Sequence, residues 1–171
     1  MTERTDDRLA HPPSDQPPSD QASPDQASPD QALTPRPARH LEAAMLAAAV
    51  AAQGNAWAPY SRFRVGAAVL AADGTIHAGC NVENATYGAT VCAERNAVAA
   101  AVVNGARELL AVVVVTDADP PAMPCGVCRQ VLAEFADDLP IIAVGAGGRV
   151  ERTTLDHLLP RRFSGRDLPD P

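Results

Sequence analysis

Residues 109 to 116 read Leu-Leu-Ala-Val-Val-Val-Val-Thr, a β-branched run of strand length that stays apolar almost to its end. Successive side chains of a strand point to opposite faces, so a run apolar at every position is suited to a strand covered on both sides. The rest of the chain supplies the covering elements. Leu41, Met45, Ala48 and Ala52 recur at helical spacing in an Ala-rich segment closed by Gly54 and Asn55, which predicts a helix over about residues 40–53. Residues 65–72 and 75–82 flank Asp73-Gly74, a dipeptide able to supply the positive φ angles of a tight hairpin. A helix is predicted over 92–104, stopped by Gly105, and another over 125–135. Strands over 141–144 and 149–153 flank a Gly-rich turn, and a short helix near 155–159 follows. The order α, two β, α, β, α, two β, α predicts a mixed sheet with helices on its faces.

This folded part is expected from residue 38 onward. Residues 1–37 hold eight of the sixteen prolines, and positions 12–31 are four five-residue units, PPSDQ twice and ASPDQ twice. So few apolar side chains cannot offset the entropy of ordering, and the reading is a disordered acidic tail. It carries seven acids against three Arg, leaving the domain with fourteen acids against eleven Arg.

Charge and composition narrow the partners. The chain has 14 Arg, no Lys and a net charge of -7, with no basic stripe for phosphates, so no nucleic-acid partner is expected. The longest apolar stretch, Ala43 to Ala52, is ten residues, about half a membrane span. The first fifteen residues mix acids and bases and lack the apolar core of a secretory signal, so a cytoplasmic, reducing location is expected. In that setting Cys80, Cys92, Cys125 and Cys128 point to metal or redox chemistry rather than a disulfide framework.

Cys125 and Cys128 stand three apart in PCGVC at a helix start, which puts both sulfurs on one face. The unpaired N–H groups of the first turn favour thiolate there. Alone, this pair could equally be a redox couple. VCAE at 91–94 adds a third cysteine at a second helix start, with a carboxylate two residues on. Positions i and i+2 of a regular helix point about 200° apart, so Cys92 and Glu94 can serve one site only where that site caps the helix. A metal between two helix starts meets this condition, and three protein ligands leave the fourth position of Zn²⁺ for water. Three thiolates overcompensate the metal's charge, and Arg95 is the candidate to offset it. Glu94 beside the water is placed to carry its proton elsewhere, which suits adding hydroxide to an electrophilic carbon while protonating an adjacent nitrogen.

These motifs resemble the cytidine deaminases of the small, three-cysteine zinc class. The resemblance runs through YSRFRVGAAV at 60–69, GCNVENATYG at 79–88, CAER at 92–95, PCGVCRQVLAEF at 124–135 and LLPRRF at 158–163. It implies a three-layer α-β-α sandwich around a mixed five-stranded sheet, and zinc-dependent hydrolytic deamination of cytidine and deoxycytidine in pyrimidine salvage. By the same resemblance Cys92, Cys125 and Cys128 bind zinc, Glu94 shuttles protons and Arg95 sits on the thiolates. Asn81 and Glu83 hydrogen-bond the ribose, Phe63 and Tyr87 line the nucleoside pocket, and the backbone at Ala93 accepts from the amino group. Phe163 matches an aromatic that reaches a neighbouring subunit's site in homotetrameric members. Thr86 stands where Ser is more usual, and the family does not require the tail.

Blander readings stand beside these. Cys80 on its strand is a small core side chain, unless it is a fourth ligand closing a structural zinc site. Asn81 and Glu83, alternating with Val82, are otherwise a solvated strand face, and Phe63 alone is core. Competing functions are a thioredoxin-like redox protein, a structural-zinc binder, and a deaminase of another aminonucleoside such as an antibiotic.

Overall fold

The run at 109–116 lies in the middle of a five-stranded sheet. In the computed structural model, which describes residues 37–169, the strands are β1 (Val65–Ala71), β2 (Ile76–Cys80), β3 (Leu109–Thr116), β4 (Pro140–Val144) and β5 (Val150–Thr154). Their spatial order is β2-β1-β3-β4-β5. Only β3 and β4 run parallel, and the other pairs are antiparallel. The sheet is therefore mixed. The expected tail lies outside the described residues except for Pro37.

Alternation along β3 feeds two cores. Val112 and Val114 join Ala97, Ala101, Leu132 and Leu155 on one face, while Ala111, Val113 and Val115 join Met45 and Ala49 on the other. Helix α1 (Arg39–Gly54) covers the second face. The first face is covered by α2 (Ala93–Val103), α3 (Gly126–Leu132) and α4 (Leu155–Leu158). This is the three-layer sandwich that the motifs implied.

Three sequence expectations need correction. In the hairpin only Gly74 has a positive φ, 85°, and Ala71 pairs with Thr75 around a wider turn than a two-residue loop. Strand β2 ends at Cys80, so Asn81 and Glu83 lie beyond it rather than on a strand face. Helix α3 ends at Leu132, short of Phe135, because the chain turns back there: the Phe135 carbonyl accepts from Leu109 N and extends the start of β3.

One close approach sets the position of α2. A Cβ on Gly79 would lie 2.5 Å from Ala97 N and 2.7 Å from Ala93 O, both backbone atoms of α2. Glycine at this point of β2 thus lets the helix backbone rest directly on the strand. Substitution Gly79→Ala should push α2 outward, cost about 1–3 kcal/mol and lower the melting temperature by about 5–10 °C in a thermal scan.

Candidate active site

The two helices that carry cysteines bring their N-termini to one place. Cys92 is the N-cap of α2 and Cys125 the N-cap of α3, each with extended backbone (ψ 157° and 165°). The extended cap frees Cys92 from helical periodicity, so it and Glu94 can face one place. The Sγ atoms of Cys92 and Cys125 are 3.9 Å apart and those of Cys125 and Cys128 are 3.5 Å apart. All three lie within 4.8 Å of one another. Ligands at about 2.3 Å in tetrahedral directions sit about 3.8 Å from each other, so this trio fits one Zn²⁺. Cys80 is not part of the cluster. It sits half-buried at the end of β2, where its carbonyl accepts from Asn96 of α2.

The cluster is graded in exposure: Cys128 is fully buried, Cys92 is half-buried and Cys125 is exposed. In the metal-free protein Cys92 is drawn down to about 6, chiefly by a hydrogen bond from Cys128, with help from Cys125 and the charge of Arg95. Cys128 is pushed up because it is the donor to Cys92 and is buried. Within the pair the charge is thus favoured on Cys92 and the proton on Cys128, and metal uptake would displace the protons that the trio holds. Arg95 donates to Thr90 O at 2.6 Å, and its Nε is buried with no hydrogen-bond partner among the described residues.

Glu94, 4% exposed in the first turn of α2, has its carboxyl raised, first by burial and further by the nearby Cys92 charge. A buried acid pushed toward neutrality is suited to exchanging protons during a reaction. Ala93, adjacent, is fully buried.

The residues expected to meet the sugar converge on the loop before β1. Asn81 accepts from Val65 N at 2.8 Å and donates to Phe63 O at 2.8 Å. Glu83 accepts from Tyr60 N, Ser61 N and the Ser61 hydroxyl, which lowers its pKa, the hydroxyl contributing most. Ser61 in turn accepts from Phe63 N, two residues on. Asn81 and Glu83 thus shape the segment presenting Phe63. Tyr87 is 75% exposed and meets Tyr60 edge to face, with ring centroids 6.0 Å apart. Phe163 is 61% exposed, its carbonyl held by Gln130 of α3 at 2.7 Å. Ser61, Asn96 and Gln130 were not singled out from sequence. Only Ser61 left a local signal, a hydroxyl two residues before the N–H that it binds.

A mixed sheet that sends two helix starts to a common trio of sulfurs, with a buried acid alongside, defines a zinc-dependent deaminase. The family model described as "Cytidine and deoxycytidylate deaminase zinc-binding region" matches residues 39–143. The chain is 48% identical over 125 residues to the cytidine deaminase of Sporosarcina psychrophila, covering 72% of this chain and 92% of the relative. It is 44% identical to that of Halalkalibacterium halodurans, covering 71% and 93%. Among solved structures, the cytidine deaminase of Burkholderia pseudomallei is similar at a TM-score of 0.68 and 43% identity, covering 74% of this chain and 99% of that one. The chain belongs to the cytidine deaminase family.

Proposed function

We propose that this protein deaminates cytidine and deoxycytidine by hydrolysis, giving uridine and deoxyuridine with release of ammonia. The observation that carries the reading is the open sulfur trio beside a buried acid of raised pKa. Cys92, Cys125 and Cys128 would hold the zinc, which supplies a Lewis-acid position for water and brings that water's pKa toward about 7. Glu94 collects the proton that the attacking water gives up and delivers it to N3 of the ring, leaving C4 open to addition. The same carboxylate then takes the proton of the hydroxyl added at C4 and passes it to the exocyclic nitrogen, so that the C4–N bond breaks, ammonia leaves and C4 becomes the carbonyl of the product. The backbone at Ala93 accepts from the amino group, orienting C4 toward the sulfurs. Phe63 and Tyr87 flank the base, while Asn81 and Glu83 meet the sugar hydroxyl with the polar capacity their loop contacts leave free. Arg95 offsets the sulfur charge.

The exposed aromatics Trp57, Tyr60, Phe63, Tyr87 and Phe163 suit a surface completed by other copies of the chain, and a homotetramer with Phe163 entering a neighbour's site is the assembly proposed. A role in pyrimidine salvage and a cytoplasmic location belong to the same proposal. Among the described residues no helix is long and apolar enough to cross a membrane.

Turnover of cytidine, deoxycytidine and an antibiotic aminonucleoside, followed by absorbance loss and ammonia release, tests the reading. Activity on the first two, abolished by a strong chelator and restored by zinc, is expected. Turnover of the antibiotic alone, or activity indifferent to metal removal, would overturn it. A monomeric mass in solution would withdraw the assembly and the role of Phe163.

A further inference from the structure

Two of the three sulfur ligands are fixed by their surroundings. Cys128 is fully buried and Cys92 caps a helix pinned to the sheet through Gly79 and Asn96. Cys125 is exposed, and packing does not hold it. Its place is set by hydrogen bonds to the peptides on either side, and one residue makes them both. Arg129 donates its backbone N–H to Cys125 O at 3.0 Å, the first rung of α3. Its side-chain Nε donates to Pro124 O at 2.7 Å. The same guanidinium donates from Nη1 to Leu158 O at 2.9 Å.

Each of the two side-chain acceptors is a carbonyl with a reason to need a partner. Pro124 is buried and stands before the helix, so its carbonyl lies outside the i to i+4 ladder of α3. Leu158 is the last residue of α4, where helix carbonyls run out of N–H donors. A planar guanidinium reaches both at once, and long helical side chains lean toward the N-terminus, which aims Arg129 back at the loop it serves.

We propose that Arg129 is a positioning residue for the metal centre: it bridges the peptide entering Cys125 to the end of α4 and thereby holds the exposed sulfur beside the other two. Its neighbour Gln130 extends the tie by holding Phe163 O, so consecutive residues of α3 hold both ends of the C-terminal segment from Leu158 to Phe163. The inference rests on the zinc reading of the cluster but not on the identity of the nucleoside.

The test is zinc release from the loaded protein to a coloured chelator, with cobalt-substituted spectra and the melting temperature of the metal-free protein, for Arg129→Met and Arg129→Lys. Both variants should release zinc about 10–100-fold faster than the parent, the range for losing a group that orients a ligand. The cobalt bands should change in shape and intensity, reporting an altered ligand geometry that a loss of general stability does not produce. Lysine should fail to rescue, because one ammonium reaches one carbonyl and not two. Release within about twofold of the parent, or full rescue by lysine, would overturn the proposal. Should the Met protein not fold, Arg129→Lys, which keeps the charge and the aliphatic stem, decides the matter alone. None of these measurements involves a nucleoside, so inactivity on cytidine sinks the proposed function without touching this result.

Discussion

Replacing Glu94 by Gln is expected to lower the turnover of cytidine by at least about 10³-fold while the protein keeps its zinc. At about 1.4 kcal/mol per decade, that is a barrier higher by about 4 kcal/mol. The substitution keeps the shape of the side chain and its place in the first turn of α2, so the three sulfurs should be undisturbed. What it removes is the ability to hold a proton at one moment and release it at the next. An amide does neither at any working pH. A protein with bound zinc and near-normal turnover would take Glu94 out of the reaction.

The same substitution has a pH signature in the metal-free protein. The Glu94 carboxyl is raised on folding, chiefly by burial. The folded chain therefore binds this proton more tightly than the unfolded chain. Its contribution to stability is complete below the unfolded pKa and is lost as pH rises through the folded one. The Gln variant carries no such loss. Its melting temperature should equal or exceed that of the parent near neutral pH, with the advantage narrowing as the pH falls through the raised carboxyl pKa and gone once it is below the ordinary carboxylate range. Stability and activity should thus move in opposite directions, the pattern of a buried acid kept for chemistry rather than for folding.

How far the site could be read in advance depended on how each residue is held. Cys92, Cys125 and Cys128 were legible because helix starts are local events, and the extended caps gave the end-on geometry that the spacing of Cys92 and Glu94 required. The run in β3 announced its two covered faces for a similar reason: alternation is written along the strand itself. Arg129 left no such mark. Its partners are five and 29 positions away, and side-chain donors to backbone carbonyls at those separations produce no periodic pattern. The end of α3 was misplaced because a long-range pairing of Phe135 with Leu109 competes with helix continuation there. The alternation of Asn81 and Glu83 with Val82 reads as a strand face, whereas the chain leaves the sheet at Cys80 and both side chains hold the loop that carries Phe63. Hairpin periodicity could place them near that loop but could not show that they organise it.

Removal of Cys128 should have an effect as large as the loss of Glu94, through a different route. Cys128→Ala is expected to bring the zinc content from about one per chain to near zero and to abolish activity, whereas Cys80→Ala should retain both. Two sulfurs remain in the variant, one of them exposed, and two protein ligands do not hold zinc against a chelator. Where free zinc exceeds the dissociation constant about 1,000-fold, losing the site removes about 4 kcal/mol of stability in the holoprotein. The metal-free proteins should differ far less, since only a small buried group is lost. They should differ clearly in one titration. In the parent, Cys128 keeps its proton and donates it to Cys92, which is why the Cys92 thiol is drawn down to about 6. With alanine at 128 that donor is gone, and the Cys92 thiol should move up toward the ordinary thiol range of about 8.5. Thiolate absorbance followed against pH should show the early step in the metal-free parent and its displacement in the variant. Alkylation of Cys92 near neutral pH should slow correspondingly. If the early step survives the substitution, the lowered thiol owes its state to Arg95 and Cys125 instead. Zinc retained by Cys128→Ala, or lost from Cys80→Ala, would mean that a different set of side chains holds the metal.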